Sequence, residues 1–280
     1  MAKYRLIPER LKRTGILRSE ELIEPQSITI DDVLLVHTRT YVNRFINGLL
    51  ERKELLRLGL PWSEQLVQRV FSVLGGTAQA ITTAFEEGIS INLAGGTHHA
   101  FADHGEGYCV FNDFVVGLRR IQQQRDLVTL IIDLDVHQGN GTAVLCKDDP
   151  RTFTFSMHGM RNYPSQKEES SLDVSLPDNT TDEQYLRQLE RILPQLFEQT
   201  KPDLVMYQAG VDVLKSDRFG KLALTMQGIA DRDRFVMDTA RQAHVPLVAA
   251  LGGGYAPNIE EIVTAHCQTV QIAAEICKLY

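Results

Sequence analysis

The chain reads IIDLDVHQGNG over residues 131–141, where an apolar run meets a group of ionisable side chains. The apolar residues 128–132 predict a buried strand. Asp133, Asp135 and His137 follow at intervals of two, and extended geometry would point all three to one face. Two carboxylates and an imidazole that converge are costly in a core but suit a metal ion. The pattern therefore favours a metal site over a strand end with solvated carboxylates.

The rest of the chain alternates apolar strands with amphipathic helices. We predict five strands: Ser90–Leu93, Val128–Ile132, Thr152–Ser156, Leu204–Gln208 and Pro246–Leu251. We predict five helices: Pro61–Glu87, Asp113–Gln124, Asp182–Glu198, Met226–Ala243 and Ile259–Leu279. This order predicts an α/β fold, with a mainly parallel sheet covered by helices on both faces, in one domain over residues 1–280. Residues 158–181 predict an irregular surface loop near the site.

Polar residues follow every predicted strand. In open α/β sheets, ligands bind beyond the carboxyl ends of the strands. The segments that follow the strands are GGTHH at 95–99, DLDVH at 133–137, MHG at 157–159, GVD at 210–212 and GGGY at 252–255. Because these segments meet at one edge of a parallel sheet, we expect an active site there.

Asp135, His137 and Asp212 are the predicted metal ligands. Three N or O ligands with an open position are typical of hydrolytic zinc, which lowers the pKa of a bound water to about 7. Fe²⁺ is the alternative ion for such a set. Taken alone, Asp212 is equally consistent with a loop carboxylate that caps a helix. A second metal would need another carboxylate near Asp212, and Asp217 is five residues away, so we predict one ion.

Two adjacent histidines, His98 and His99, are predicted to transfer protons beside the metal. Each needs an acceptor that fixes its tautomer, and Asp133 and Asn140 are the nearest candidates by motif. An Asn carries no charge, so the histidine that it orients would have a lower pKa than one held by Asp.

Tyr255 follows three glycines, and its hydroxyl is predicted to stabilise a developing oxyanion. A packed aromatic residue is one alternative. A phosphate-binding loop is the other, although the chain has no GxGxxG or GK[ST] motif to support it.

Composition limits the class of protein. A net charge of −7 argues against a general nucleic-acid binder, but it would not repel a cationic lysine or polyamine substrate. The four cysteines form no CxxC pair, which argues against a disulfide scaffold or a zinc knuckle. The chain has neither an apolar signal region nor a run long enough to span a membrane, so we expect a cytoplasmic protein.

The ordered motifs resemble those of the histone deacetylase family, most closely its class IV and related bacterial branch. The matching segments are GGTHHA (95–100), GYCVFND (107–113), DLDVHQGNGT (133–142), TFSMHG (154–159), AGVD (209–212) and LGGGY (251–255). The resemblance implies a three-layer arginase–deacetylase fold. It also implies zinc-dependent hydrolysis of an N-acyl amide, typically acyl-lysine.

The resemblance also implies a role for individual residues. Asp135, His137 and Asp212 would bind zinc. His99 would act as the main general base and acid. His98, paired with Asp133, would assist electrostatically, Tyr255 would hold the substrate carbonyl, and Asn140 would orient His99.

Further residues match the family's substrate tunnel and a second cation site. Gly107 would accept the substrate amide, with Tyr108 and Tyr163 as aromatic walls. A structural potassium ion would lie near the zinc. Its ligands would be the side chains of Asp133 and Ser156 and the backbone oxygens of Asp135, His137 and Met157.

The chain departs from the family in two places. Many relatives carry Asp where this chain has Asn140. Met1-Ala2-Lys3-Tyr4 matches only the tail of a family segment HxFPMxKY, so we expect the first strand and part of the pocket-mouth loop to be missing. The alternatives to a lysine deacetylase are hydrolysis of small N-acyl amides such as acetylpolyamines, removal of longer acyl chains, or metal binding without turnover because of the shortened N-terminus.

Overall fold

Six parallel strands form one sheet in the computed structural model, which describes residues 2–278. The strands are β1 Ile89–Asn92, β2 Thr129–Asp133, β3 Thr152–Gly159, β4 Leu172–Leu176, β5 Leu204–Gln208 and β6 Leu247–Ala250. Their order is β1-β6-β5-β2-β3-β4, and every neighbouring pair is parallel. The predicted α/β fold with a parallel sheet is confirmed.

Ten α-helices connect and cover the described strands. They are α1 Lys3–Arg13, α2 Ile30–Val33, α3 Arg39–Ile46, α4 Arg52–Leu58, α5 Glu64–Glu87, α6 Asp113–Gln122, α7 Asn140–Cys146, α8 Asp182–Thr200, α9 Met226–Gln242 and α10 Ile259–Lys278. The five predicted helices correspond to α5, α6, α8, α9 and α10, although Leu279 lies outside the described residues. Helix α8 begins with a capping box, in which the Thr181 amide donates to Gln184 Oε1 at 3.1 Å.

Two features of the prediction were wrong. Residues 158–181 are not wholly irregular, because β4 lies inside them and β3 continues to Gly159 to pair with it. β4 reads LDVSL, in which apolar and polar residues alternate, but it is only five residues long and lies within a polar segment, so the alternation did not single it out. Helices α1 to α4 and α7 were also missed: the helices α2, α3, α4 and α7 are short, and α7 begins among the glycines that suggested a turn.

The middle of the sheet is buried on both faces. Leu130 and Ile132 of β2 belong to the same apolar cluster as Leu193 of α8. Ile131, which points to the opposite face, belongs to the cluster that contains Ile81 of α5. This alternation explains why β2 reads as a continuous apolar run. No helix within residues 2–278 has the length and apolar character needed to cross a membrane.

The described N-terminal residues form a helix that packs against the end of the chain. Ile7 and Leu11 of α1 share a cluster with Leu251 after β6 and with Val263 and Cys267 of α10. Helix α1 therefore covers the loop that leaves β6.

A buried arginine of α9 forms hydrogen bonds to both loops that carry the predicted metal ligands. Arg232 is fully buried and its Nη1 donates to the carbonyl of Leu134, at 3.2 Å, and to that of Gly210, at 2.7 Å. Its Nε donates to Asp233 Oδ1 at 2.9 Å. Asp233 in turn accepts from the hydroxyls of Tyr207 and Thr269, at 2.5 and 2.6 Å. The guanidinium thus satisfies two backbone carbonyls and a buried carboxylate at once.

We expect Arg232→Met to lower the free energy of unfolding by about 3–5 kcal/mol, because it leaves Asp233 buried without its cation. Chemical denaturation measures this loss. The double variant Arg232→Met/Asp233→Asn should lose less, since it removes the uncompensated charge. Arg191→Met, on the exposed face of α8, is the control. A loss no larger than that of the control would contradict the role of Arg232.

Candidate active site

The carboxyl ends of β1, β6, β5 and β2 lie level with one another, and β3 passes them at Ser156 and continues to Gly159. Strand register pairs Asp133 of β2 with Ser156 of β3 on one side and with Gln208 of β5 on the other. Gln208 pairs with Ala250 of β6, which pairs with Asn92 of β1. The loops that follow β1, β6, β5 and β2 therefore begin along one line, and this alignment brings the predicted site residues together.

The spacing of Asp133, Asp135 and His137 suggested that the strand pleat would point all three side chains to one face. The structure differs from this prediction. β2 ends at Asp133, and side-chain bonds to the backbone hold the next turns. The amide of Asp135 donates to Asp133 Oδ1 at 3.2 Å, and the amide of His137 donates to Asp135 Oδ1 at 3.0 Å. Such local bonds replace the strand ladder. They leave Asp133 facing His98, whereas Asp135 and His137 face each other.

Asp135, His137 and Asp212 form a buried cluster whose donor atoms all lie within 4.8 Å of one another. His137 Nδ1 lies 3.0 Å from Asp135 Oδ1 and 3.1 Å from Asp212 Oδ2. The amides of Val136 and Gly253 donate to the outer oxygens of Asp212 and Asp135, at 2.9 and 3.0 Å. The remaining carboxylate oxygens are thereby directed towards the imidazole.

The electrostatics of this cluster suit a cation. Burial, followed by the nearby charge of Asp135, raises the pKa of Asp212. Burial lowers the pKa of His137, but the carboxylates of Asp135 and Asp212 outweigh burial and raise this pKa to about 10. Two adjacent buried carboxylates need a compensating positive charge, and two carboxylates with one imidazole are a donor set that zinc accepts. The residues fit a divalent metal ion.

Glycine is required where the loop after β6 passes this cluster. A Cβ atom at Gly253 would overlap the carboxylate of Asp212 and press on that of Asp135. The sequence therefore places glycine beside the ligands so that the backbone amide can approach them.

The two histidines have different partners. His98 Nδ1 lies 2.7 Å from Asp133 Oδ2, and His99 Nδ1 lies 2.7 Å from Asn140 Oδ1. Burial lowers the pKa of His98, but the charges of Asp133 and Asp135 outweigh burial and raise this pKa to about 9. Burial and the neighbouring imidazoles of His98 and His137 hold the pKa of His99 well below its usual range. The adjacent imidazoles therefore differ in charge.

A carboxylate that the sequence analysis missed fixes the orientation of Asn140. Asn140 Nδ2 donates to Glu106 Oε1 at 2.7 Å, so its oxygen faces His99. That oxygen accepts the Nδ1 proton of His99, which leaves Nε2 of the neutral ring as a proton acceptor. Glu106 precedes the matched GYCVFND segment by one residue and carries no motif of its own.

Aromatic rings surround the opening above the cluster. The Tyr255 ring centroid lies 6.4 Å from that of His137 and 6.1 Å from that of Tyr108. Tyr163 lies on another side, with its ring centroid 5.0 Å from that of His99. Phe219, which sequence reasoning missed, lies 5.1 Å from Tyr255 by ring centroids. Tyr108, Tyr163 and Phe219 are exposed, so they form the mouth.

Gly107 lies beside His99 at the base of this mouth. Its φ is +55°, and a Cβ atom there would collide with the His99 ring. Gly107, Tyr108 and Tyr163 therefore line one opening, and their role in substrate binding stays a prediction.

The residues predicted to hold potassium lie beside the cluster. Asp133 and Ser156 are register partners, and Ser156 Oγ lies 2.9 Å from His158 Nδ1. Met157 is buried in β3. The monovalent cation stays a prediction.

The N-terminal residues contribute to the floor of the site. Lys3 Nζ donates to the carbonyl of Gly252 at 2.7 Å and to that of Gly253 at 3.0 Å. His266 of α10 contacts the same Gly253 carbonyl through Nε2 at 3.1 Å. Burial lowers the pKa of Lys3 to about 8. The sequence alone gave no sign that Lys3 would hold the loop before Tyr255.

A second cavity, of about 340 Å³, lies beside Asp135 and His137 and shares Gly107, Tyr108 and Tyr255 with the mouth; we call it the inner cavity. Its walls beyond the ionisable residues are mostly apolar, and they include Leu60, Leu66, Val70, Val73, Leu74 and Ile259. Ala2, Lys3 and Tyr4 also line it. The site therefore has room for an apolar group beyond the cluster.

Comparison with known proteins gives a consistent result. Residues 1–270 match the family model for the histone deacetylase domain. An uncharacterized protein of a Picosynechococcus species is 45% identical, over 99% of this chain and 92% of its own length. Histone deacetylase 2 of Arabidopsis thaliana is 31% identical, over 94% of this chain and 70% of its own. The fold matches a crystal structure of an HDAC homolog complexed with SAHA, with a TM-score of 0.82, 24% identity and coverage of 97% and 77%.

Proposed function

Because this chain belongs to the histone deacetylase domain family, we propose that it is a zinc-dependent hydrolase that removes acyl groups from lysine side chains. One observation carries the proposal. A buried metal-binding cluster, a pair of differently charged histidines and Tyr255 meet at the base of an aromatic mouth. A mouth with aromatic walls suits the alkyl stem of lysine, and the cluster lies where the acyl amide would end.

Asp135, His137 and Asp212 would hold the metal, with Zn²⁺ preferred and Fe²⁺ as the alternative. When bound, the zinc would polarise the acyl carbonyl and lower the pKa of a water molecule to about 7. A single potassium ion beside Asp133, Ser156 and Met157 remains part of the proposal.

His99 would take the proton from the attacking water through Nε2, because Asn140 holds the proton on Nδ1. The same nitrogen would then give that proton to the leaving lysine amine. His98, held by Asp133, would supply positive charge nearby without exchanging the proton. Gly107 would accept a hydrogen bond from the substrate amide.

The alternatives are less well supported. The catalytic and ligand side chains are all present, which counts against a protein that binds metal without turnover. Acetylpolyamines are cations, and the mouth is lined by Arg57, Arg161, Arg218 and Lys221. Repulsion at the mouth therefore favours acyl-lysine over an acetylpolyamine.

The experiment that tests this function is hydrolysis of acyl-lysine peptides, from acetyl to myristoyl, by zinc-loaded protein. We expect metal-dependent release of the acyl group, and loss of activity and of bound zinc in Asp135→Ala. Asp231→Ala, an exposed change on α9, is the control and should keep one zinc ion per chain. Absence of release from every peptide by a zinc-bound protein would overturn the proposal.

Tyr255→Phe should lower kcat by about 100-fold or more, because it removes a hydroxyl that donates to the developing oxyanion. Zinc content should remain at the wild-type level, since Tyr255 is not among the ligands. Steady-state kinetics and elemental analysis measure the two quantities. Equal loss of zinc and activity, or an unchanged kcat, would argue against this role.

The inner cavity favours acyl groups longer than acetyl. A single water molecule occupies roughly 10–15 Å³ of cavity volume. The inner cavity has about 340 Å³, so an acetyl methyl group would leave most of it unfilled. Burial of methylene groups against the apolar walls would strengthen binding of a longer chain.

Val70→Phe should lower kcat/KM for octanoyl-lysine about tenfold relative to acetyl-lysine, because the larger ring fills the inner cavity. Val144→Phe, on the exposed side of α7, is the matched control. Competition between the two peptides in one reaction measures the ratio directly. An unchanged ratio in Val70→Phe would place the acyl group elsewhere.

A further inference from the structure

The mouth of the site is basic although the chain as a whole is acidic. The net charge is −7, yet four basic residues line the mouth: Arg57, Arg161, Arg218 and Lys221. Among the residues of the described chain that line this opening, none is Asp or Glu. This local excess of positive charge is opposite in sign to the charge of the whole protein.

Nearby carboxylates neutralise only part of this charge. Asp178 pairs with Arg161, and Glu106 at the base of the mouth interacts with Tyr163 and Asn140. Asp217 accepts three backbone amides, from Phe219, Gly220 and Tyr255, at 2.8, 2.9 and 2.6 Å. Arg57 and Arg218 are exposed and form no ion pair within residues 2–278. Two guanidinium groups are therefore available to a ligand at the surface.

These cations surround the entrance from different segments. Arg57 lies on α4, whose Arg57 and Leu58 carbonyls accept the amides of Gly107 and Tyr108, at 3.3 and 2.9 Å. Arg161 follows β3, and Arg218 lies beside Phe219, with its guanidinium carbon 5.9 Å from that ring centroid.

The two loops across from α4 are joined. Asn162 Nδ2 donates to the Phe219 carbonyl at 2.6 Å, and Lys221 Nζ donates to that of Arg161 at 2.9 Å. A substrate whose lysine entered the mouth would therefore lay its main chain between cations on both sides.

We propose that this mouth selects acyl-lysines that have Asp or Glu as neighbours in a peptide chain. The inference rests on the proposed function. Residues next to the acyl-lysine would lie within the ring of basic side chains, where arginine can bind a carboxylate through two hydrogen bonds. The positive potential would also increase the rate at which an acidic segment meets the site.

The test compares kcat/KM for three peptides that share one acyl-lysine and differ in its neighbours: two Asp, two Ser or two Lys. Because exposed ion pairs are individually weak, we expect the Asp peptide to exceed the Ser peptide about fivefold, and the Lys peptide to fall below it by a similar factor. The advantage should shrink as NaCl rises, since salt screens surface charges. Equal rates for the three peptides would overturn the inference.

Variants of the mouth identify the groups responsible. In Arg57→Gln/Arg218→Gln the Asp-to-Ser ratio should approach one, and Arg57→Glu/Arg218→Glu should reverse the order of the Asp and Lys peptides. Arg187→Gln/Arg191→Gln, on the exposed face of α8, removes the same number of charges and should keep the wild-type ratio. A ratio that persists in both mouth variants would refute the assignment.

Two further outcomes are distinguishable. Nα-acetyl-Nε-acyl-lysine, whose α-amine is blocked, carries one free carboxylate and no further peptide; faster turnover of this compound than of the Asp peptide would overturn the inference in favour of a small acid. Failure on the Ser peptide as well as the others would count against the proposed function itself, whereas turnover of all three at equal rates would refute only the charge preference.

Discussion

The constraint on which the rest of the structure depends is the burial of two carboxylates beside one imidazole. The ligand atoms of Asp135, Asp212 and His137 lie within 4.8 Å of one another, and all three residues are buried. Such an arrangement is unfavourable without a cation and directed hydrogen bonds. The backbone amides of Val136 and Gly253 supply the bonds, and Arg232 holds both ligand loops by their carbonyls.

Hydrogen-bond partners also distinguish the two adjacent histidines. His98 faces a carboxylate and His99 faces an amide, and together with burial and the neighbouring charges this difference shifts the pKa of His98 up and that of His99 down. Glu106 completes the arrangement, because it directs the amide of Asn140 so that its oxygen meets His99. A neutral and a charged imidazole can therefore lie side by side, with ring centroids 4.1 Å apart.

Charge at the mouth shows why net charge is a poor guide to a substrate. The composition alone suggested that a cationic substrate would not be repelled. The fold gathers Arg57, Arg161, Arg218 and Lys221 around the entrance, while acidic residues such as Glu183 and Asp231 lie on helices away from it. The electrostatic potential at the entrance depends mainly on nearby charged groups, because salt screens charges beyond about 10 Å.

The sequence by itself determined the parallel sheet and the residues that meet at its edge. Each of the five predicted strands was a short apolar run, and polar residues came at or just beyond its carboxyl end, so local order along the chain was enough. Strand β4, the cavity, Lys3 and Glu106 were decided only by the tertiary structure. β4 alternates apolar and polar residues over only five positions inside a polar segment, which is too short a signal to single it out, and the contacts of Lys3 join residues at opposite ends of the chain. Contacts of that kind leave no periodic signal, because they depend on packing between segments that are distant in sequence.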